Sequence, residues 1–274
     1  MDQGGVFVIL FKMVRYHQKK YPSYIPLHLE EVAGHFDVKR VFPTLPYSLH
    51  TEYSYGKRTF QSELIQKYPE IVRANQDGIP QLWKNEVWAE SFAAFLMELT
   101  KNMPTPSVIE IHPPFHDYVG SMREFIEIYQ VFETQIKSRW QETDILIENR
   151  CGSRYRGGRF LISTAPQIKE LCAWIESEHL KLRIAFDIPQ LYTAHQVTPK
   201  RSYEICALLE ELKEIRQYIG GVHIWGKRTS HSRRISHCGD LNTYFNNDMQ
   251  LKAAFLDSLG RLFSDNQVRN LVLE

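Results

Sequence analysis

The chain has 274 residues, with 33 basic and 32 acidic side chains and a formal charge of +1, which excludes a protein that grips nucleic acid by bulk positive charge. With 43% hydrophobic and 12% aromatic residues it can bury a large core and is not a disordered chain. No apolar run exceeds that of Val6–Phe11, far short of the ~20 residues that span a bilayer.

In chain order, short apolar runs rich in β-branched residues alternate with amphipathic stretches, the pattern of repeated βα units. Strands are predicted at Val6–Lys12, Val38–Thr44, Val108–His112, Asp144–Glu148, Leu182–Asp187, Gly221–Trp225 and Val268–Glu274. Between them the spacing predicts a short helix over Leu27–His35, a long one over Trp83–Lys101, and further helices over Met122–Trp140, Ala165–His179, Arg201–Tyr218 and Met249–Phe263. Thr164 and Pro166 suit the N-cap and first turn of the helix they open. The region Thr51–Gln81, with two glycines and two prolines, reads as a long loop with a short helix. The length and element order fit a single (β/α)8 TIM-barrel domain over residues 1–274. Seven strands are countable where such a barrel needs eight.

Four cysteines (Cys151, Cys172, Cys206, Cys238) form no CxxC and no dense framework, as expected of a reduced cytoplasmic protein. No basic segment leads into a longer apolar stretch, so no signal peptide is expected. Cys151 and Cys238 lie in two basic loops; free thiols are the expectation.

Reactive residues of such barrels sit at the C-terminal ends of the strands. The runs VIEIH, DILIE, RIAFD, GVHI and NLVLE place His112, Glu148, Asp187, His223 and Glu274 there. Taken singly, a strand-end carboxylate is a helix cap or ion-pair partner and a lone histidine a satisfied polar residue. Five in one register converge on one mouth, and two imidazoles with three carboxylates suit Zn²⁺, Mn²⁺ or a related divalent ion.

Two loops beside this centre carry local positive charge. After Glu148 come Arg150, Arg154, Arg156 and Arg159, with no acid before Glu170; after His223 come Lys227, Arg228, Arg233 and Arg234, with no acid before Asp240. Guanidinium forks match phosphate oxygens bidentately, so an anionic substrate is expected rather than a pair of merely solvated loops. Tyr155 and Trp225 suit stacking on a base or sugar. The ring-rich segment PYSLHTEYSYGKRTF reads equally as a substrate loop (Tyr47, Tyr53, Tyr55, Phe60) or as packing. In HPPFHD, His116 and Asp117 read as loop hydrogen-bonders.

The order of these motifs resembles the xylose-isomerase-like barrel superfamily, and within it the endonuclease IV (AP endonuclease family 2) branch, from LFKMVRYHQ to LVLE. The resemblance implies one to three divalent metal ions and cleavage of the DNA backbone beside an abasic site. By it, Glu148 in IEN is a bridging carboxylate, His112 in HPP ends the fourth strand, and Asp187, His223 and Glu274 complete a ligand set. Departures are visible. Tyr47 stands where a histidine is expected, with His50 out of register; Gln190 stands where another is expected; and an Asp-x-His pair is absent, for which His231 or His237 would substitute. The first strand matches the family's second, so the opening βα unit and the final helix are expected to be missing.

Three functions follow. The first is a metal-dependent phosphodiester hydrolase acting on DNA or another phosphorylated ligand, with His112, Glu148, Asp187, His223, Glu274 and His237 as ligands and the arginines clamping phosphate. The second is a single-metal sugar or sugar-phosphate isomerase or epimerase with Glu148 and Glu274 as the acid/base pair. The third is a non-catalytic binding barrel whose affinity for nucleic acid falls with salt.

Overall fold

The computed structural model describes residues 9–17, 19–34, 42–51, 62–73, 75–76, 79–197, 202–230, 233–236 and 240–274. Eight parallel strands close into a barrel: β1 (Phe11–Arg15), β2 (Leu29–Gly34), β3 (Tyr47–Thr51), β4 (Val108–Ile111), β5 (Asp144–Glu148), β6 (Leu182–Asp187), β7 (Ile219–Ile224) and β8 (Arg269–Leu273). They run in sequence order around the barrel, and β1 pairs with β8 from Phe11↔Arg269 to Val14↔Val272. The described helices of seven residues or more are α1 (Glu86–Leu99), α2 (Met122–Arg139), α3 (Ala165–Ser177), α4 (Ile188–Ala194), α5 (Ser202–Glu211) and α6 (Met249–Leu262). No helix among the described residues is long and apolar enough to cross a membrane.

Strand alternation assigns each side chain to one of two layers. Outward-facing Leu49, Ile109, Ile111, Ile145, Ile147, Ile184, Phe186 and Val222 join the helices in one apolar cluster. Inward-facing Val14, Leu29, Val108, Leu146, Ala185 and Val272 form a small plug of their own inside the barrel. Room for Leu146 comes from the pair Gly220–Gly221, where a β-carbon would stand 2.6 and 3.0 Å from its methyl groups. A break in register between β6 and β7 lies at the same place.

The helical layer is held by ring packing. Trp83 is buried with its ring centroid 5.3 Å from Trp88 and Phe132 and 5.5 Å from Phe125. Its indole N–H donates to the carbonyl of His112 at 2.7 Å, so this cluster also fixes the end of β4. Ser121 caps α2 by accepting from the Glu124 amide at 3.2 Å. At α3, Thr164 is the N-cap and Pro166 lies in the first turn, as the sequence predicted, and the Thr164 amide donates to Gln167 Oε1 at 2.9 Å.

Several expectations are corrected. Leu27–His35 is not a helix: its centre is β2, and Glu30 and Glu31 are buried. Of the strand expected at Val38–Thr44, residues 38–41 lie outside the described set and 42–44 are loop; the strand is β3, further on. The strand expected at Val6–Lys12 begins at Phe11 among the described residues. Arg201–Tyr218 divides into α5 and a 3₁₀ segment, Lys213–Tyr218. The short helix α4 was not foreseen. With β1 and β8 paired, no strand of the barrel is missing, so the expected loss of an opening βα unit does not hold. Within Thr51–Gln81 lie two short helices, Ser62–Lys67 and Pro69–Arg73.

Candidate metal centre at the barrel mouth

Two residues beyond five of the six members of the apolar plug, the next inward side chain is polar or charged. Leu29 is followed by Glu31, Val108 by Glu110 and then His112, Leu146 by Glu148, Ala185 by Asp187 and Val272 by Glu274. His50 on β3 and His223 on β7 complete the layer. The period of two that aims apolar residues into the barrel thus aims eight titratable side chains at its C-terminal mouth. All but His50 are under 9% exposed.

Three overlapping donor groups result, each with its ligand atoms within 4.8 Å of one another: His50–His112–Glu148, Glu110–Glu148–His223 and Asp187–His223–Glu274. In the first, His112 Nε2 lies 3.2 Å from His50 Nε2 and 3.1 Å from Glu148 Oε2, and His50 Nε2 lies 3.7 Å from that oxygen. One ring nitrogen cannot both accept from His50 and donate to Glu148. Ligand atoms 2.0–2.1 Å from a tetrahedral Zn²⁺ stand about 3.3 Å apart, which these three separations bracket. His50 Nδ1 is also buried without a hydrogen bond, 3.6 and 3.7 Å from Glu31 Oε1 and Glu110 Oε1. The donor set therefore fits a divalent ion.

The electrostatics agree. Five carboxylates face one guanidinium, that of Arg150. Burial works to lower the His50 imidazole, but the charges of Glu31, Glu110 and Glu148 outweigh it and hold it at about 10. Burial pushes His112 down to about 4 despite Glu148. His223 is held well above its ordinary range, against burial, by Glu110 and Glu274. Burial, then the charges of Glu148 and Glu274, raise Asp187 to about 7. Glu148 stays well below the usual carboxylate range because Arg150 and His112 overcome its burial.

The site is braced from behind. Glu274 Oε1 lies 2.7 Å from His223 Nδ1, which turns Nε2 toward Glu110 at 3.1 Å. Asn149 ties β5 to β6 through a reciprocal pair: its amide donates to the Asp187 carbonyl (3.0 Å) and its Oδ1 accepts from the Asp187 N–H (2.8 Å).

Of the residues expected here, His112, Glu148, Asp187, His223 and Glu274 do converge. His50 joins them, so its register, read from Tyr47, is corrected; Tyr47 points outward and its hydroxyl donates to the Pro104 carbonyl. Glu31 and Glu110 were missed, although Glu110 lies two residues before His112 and so on its face. Arg150 is buried and pairs with Glu148 at 2.7 Å rather than facing solvent. Arg154, Arg156 and Arg159 are exposed on the loop after β5. That loop is pinned beside the mouth: Phe115 stacks on Phe160 at 4.0 Å, and the Asp117 and His116 amides donate to the carbonyls of Gly157 and Arg159. A β-carbon at Gly157 would meet Tyr118 at 2.8 Å, and Gly158 has φ +87. Trp225 is buried, its indole bonded to Asp187, and does not offer a stacking face. Lys227, Arg228, Arg233 and Arg234 belong to an antiparallel hairpin, Lys227–Ser230 with Arg233–Ser236. His231, His237, Cys238, Tyr53, Tyr55 and Phe60 lie outside the described residues.

No protein-family model matches the sequence, and no curated protein matches it. Among solved structures, that of AsfvAP:AG is 13% identical and superposes with a TM-score of 0.53 over 97% of this chain and 91% of its own. This chain is a (β/α)8 TIM barrel. It resembles the AsfvAP:AG structure in fold. A xylose isomerase domain protein from Planctomyces limnophilus is 12% identical, with a TM-score of 0.46 over 98% of this chain and 91% of its own. At these identities the likeness is one of fold.

Proposed function

We propose that this chain is a metal-dependent hydrolase of phosphodiesters, acting on DNA or another phosphorylated ligand. The observation that carries the reading is the juxtaposition of a buried imidazole–carboxylate centre with an exposed loop bearing Arg154, Arg156 and Arg159. His50, His112 and Glu148 would hold a divalent ion, zinc or manganese, with Glu110, Asp187, His223 and Glu274 completing the surroundings. When bound, the ion supplies Lewis acidity to a phosphoryl oxygen and acidity to water. The loop arginines bind and orient backbone phosphates without reading sequence. Glu274 keeps the proton of His223 on Nδ1 and so leaves Nε2 directed into the centre. The pinned Phe115–Phe160 stack holds the arginine loop at a fixed distance from that centre.

The test is Glu148→Gln. Hydrolysis of a phosphodiester substrate falls by about 10²- to 10⁴-fold while the circular dichroism spectrum is kept; wild-type turnover by the variant removes the reading.

A second reading is favoured by one observation. Gln190, buried beside Glu148 and Asp187, donates to both and offers them no lone pair. A mouth with one ion suits a sugar isomerase or epimerase in which Glu148 and Glu274 exchange protons with carbon. Deuterium wash-in from solvent at a sugar carbon separates the two.

A further inference from the structure

Between β5 and β6, where two carboxylates approach each other, the space is filled by the chain itself. The Gln190 side-chain nitrogen donates to Glu148 Oε1 and, at 2.8 Å, to Asp187 Oδ2. Its two protons are thereby matched to two acids, and only the nitrogen end of the amide suits two carboxylates. Arg150 Nη1 donates to the same Glu148 Oε1 at 2.7 Å. Asp187 Oδ1 also accepts from the Gln190 backbone N–H at 2.8 Å, and the Trp225 indole bridges both Asp187 oxygens at 3.1 and 2.9 Å. These donors are not loosely held. Gln190 lies in the first turn of α4, for which Asp187 is the N-cap, and is 5% exposed. The Arg150 guanidinium sits 5.4 Å from the Phe160 ring centre.

A guanidinium and an amide N–H present protons, never lone pairs, to whatever lies beside them. They also meet the need that a cation would meet, since two carboxylates buried this deeply must be neutralised or hydrogen-bonded. On the other side of Glu148 the situation is reversed: Oε2 faces His50 and His112, whose nitrogens compete for one proton.

We infer that Gln190 and Arg150 take the place of an additional cation between Glu148 and Asp187, so that the mouth loads a single divalent ion. The inference rests on the metal centre proposed above and adds how many ions it holds and what limits them. The same atoms explain why Glu148 can serve an ion through one oxygen while its other oxygen is retained by the protein.

The experiment counts ions. Metal-free wild type, Arg150→Met/Gln190→His, Asp187→Asn and His50→Asn are titrated with Zn²⁺ and with Mn²⁺, then analysed for metal per chain after gel filtration. Expected are one ion in the wild type, two in the double variant, one in Asp187→Asn, and at least a tenfold loss of affinity in His50→Asn. Two or more ions in the wild type overturn the inference, as does a folded double variant that still takes one. Loss of the ion in Asp187→Asn with retention in His50→Asn overturns it too, and that pair decides alone should the double variant not fold. No ion in the wild type with either metal overturns the proposed metal centre itself, whereas two ions leave that centre standing and remove only the inference.

Discussion

The two sides of the barrel mouth are made from the same residue types but finished differently. On the β6–β8 side, Asp187 is held by Gln190 and Trp225, and His223 by Glu274. On the β2–β4 side, His50 Nδ1 is buried without a hydrogen bond, 3.6 and 3.7 Å from Glu31 Oε1 and Glu110 Oε1. A folded protein tolerates such atoms at a cost of about 1–3 kcal/mol each when nothing serves them. The lesson is that burial of polar groups marks a site less well than the accounting of their partners. The tightly bonded side is architecture carrying charge, and the loosely bonded side is the one proposed to hold the ion.

Perturbing each side separates them. The largest expected effect comes from Trp83→Ala, which empties the ring cluster behind β4 and removes the bond to the His112 carbonyl. It should cost about 3–5 kcal/mol, read by chemical denaturation, and should weaken metal binding; a variant that binds metal as tightly as the wild type would show that the cluster does not position His112. Next is the ion itself. Loading the metal-free protein at a hundredfold excess over Kd should stabilise it by about 2.7 kcal/mol, seen as a rise in Tm that a chelator reverses. Unchanged Tm on chelation contradicts an ion on the loosely bonded side. Asn149→Ala breaks the β5–β6 tie on the tightly bonded side and should cost about 1–3 kcal/mol, with the ion count unchanged.

The smallest effect is on pH dependence. Asp187 is raised to about 7 by burial and by its acidic neighbours. Its folded form therefore holds a proton that the unfolded chain has already released, so stability of the metal-free protein falls as pH rises from about 4 to about 7 and levels off above. Asp187→Asn should flatten that limb of the stability curve, and an unaltered slope would assign it to other groups. His50 works in the same sense over a higher pH window. Held at about 10, it contributes stability that is complete below its ordinary 6.5 and is lost as pH climbs toward 10.

What could be read from the sequence follows the same division. Strands β5 and β6 were predicted to the residue, because in each a run of three apolar residues (ILI and IAF) leads directly into one terminal acid. Their terminal acids, with His112, His223 and Glu274, were therefore visible as a register. Strands β2 and β3 were not, since LEEVAG breaks its apolar residues with two adjacent acids and YSLHT alternates over only five residues. With those strands went His50 and Glu31, and the eighth strand seemed to be absent. Glu110 shows that the signal was partly present: two residues from His112 on a recognised strand, it had to share its face. Nothing in the spacing foretold that Arg150 would turn inward to Glu148 while its neighbours Arg154, Arg156 and Arg159 stay exposed; that follows from Phe160 packing against it.

The central claim is metal-dependent cleavage of a phosphodiester, and its most direct test is a duplex carrying a single abasic site. Offered this DNA after reconstitution with Zn²⁺ or Mn²⁺, the protein should cut the backbone beside the lesion. Chelation should stop the cleavage, and rising salt should slow it as the arginine loop loses its hold on phosphate. Intact DNA under both metals, together with solvent deuterium entering a sugar carbon, would contradict the hydrolase and establish the isomerase in its place.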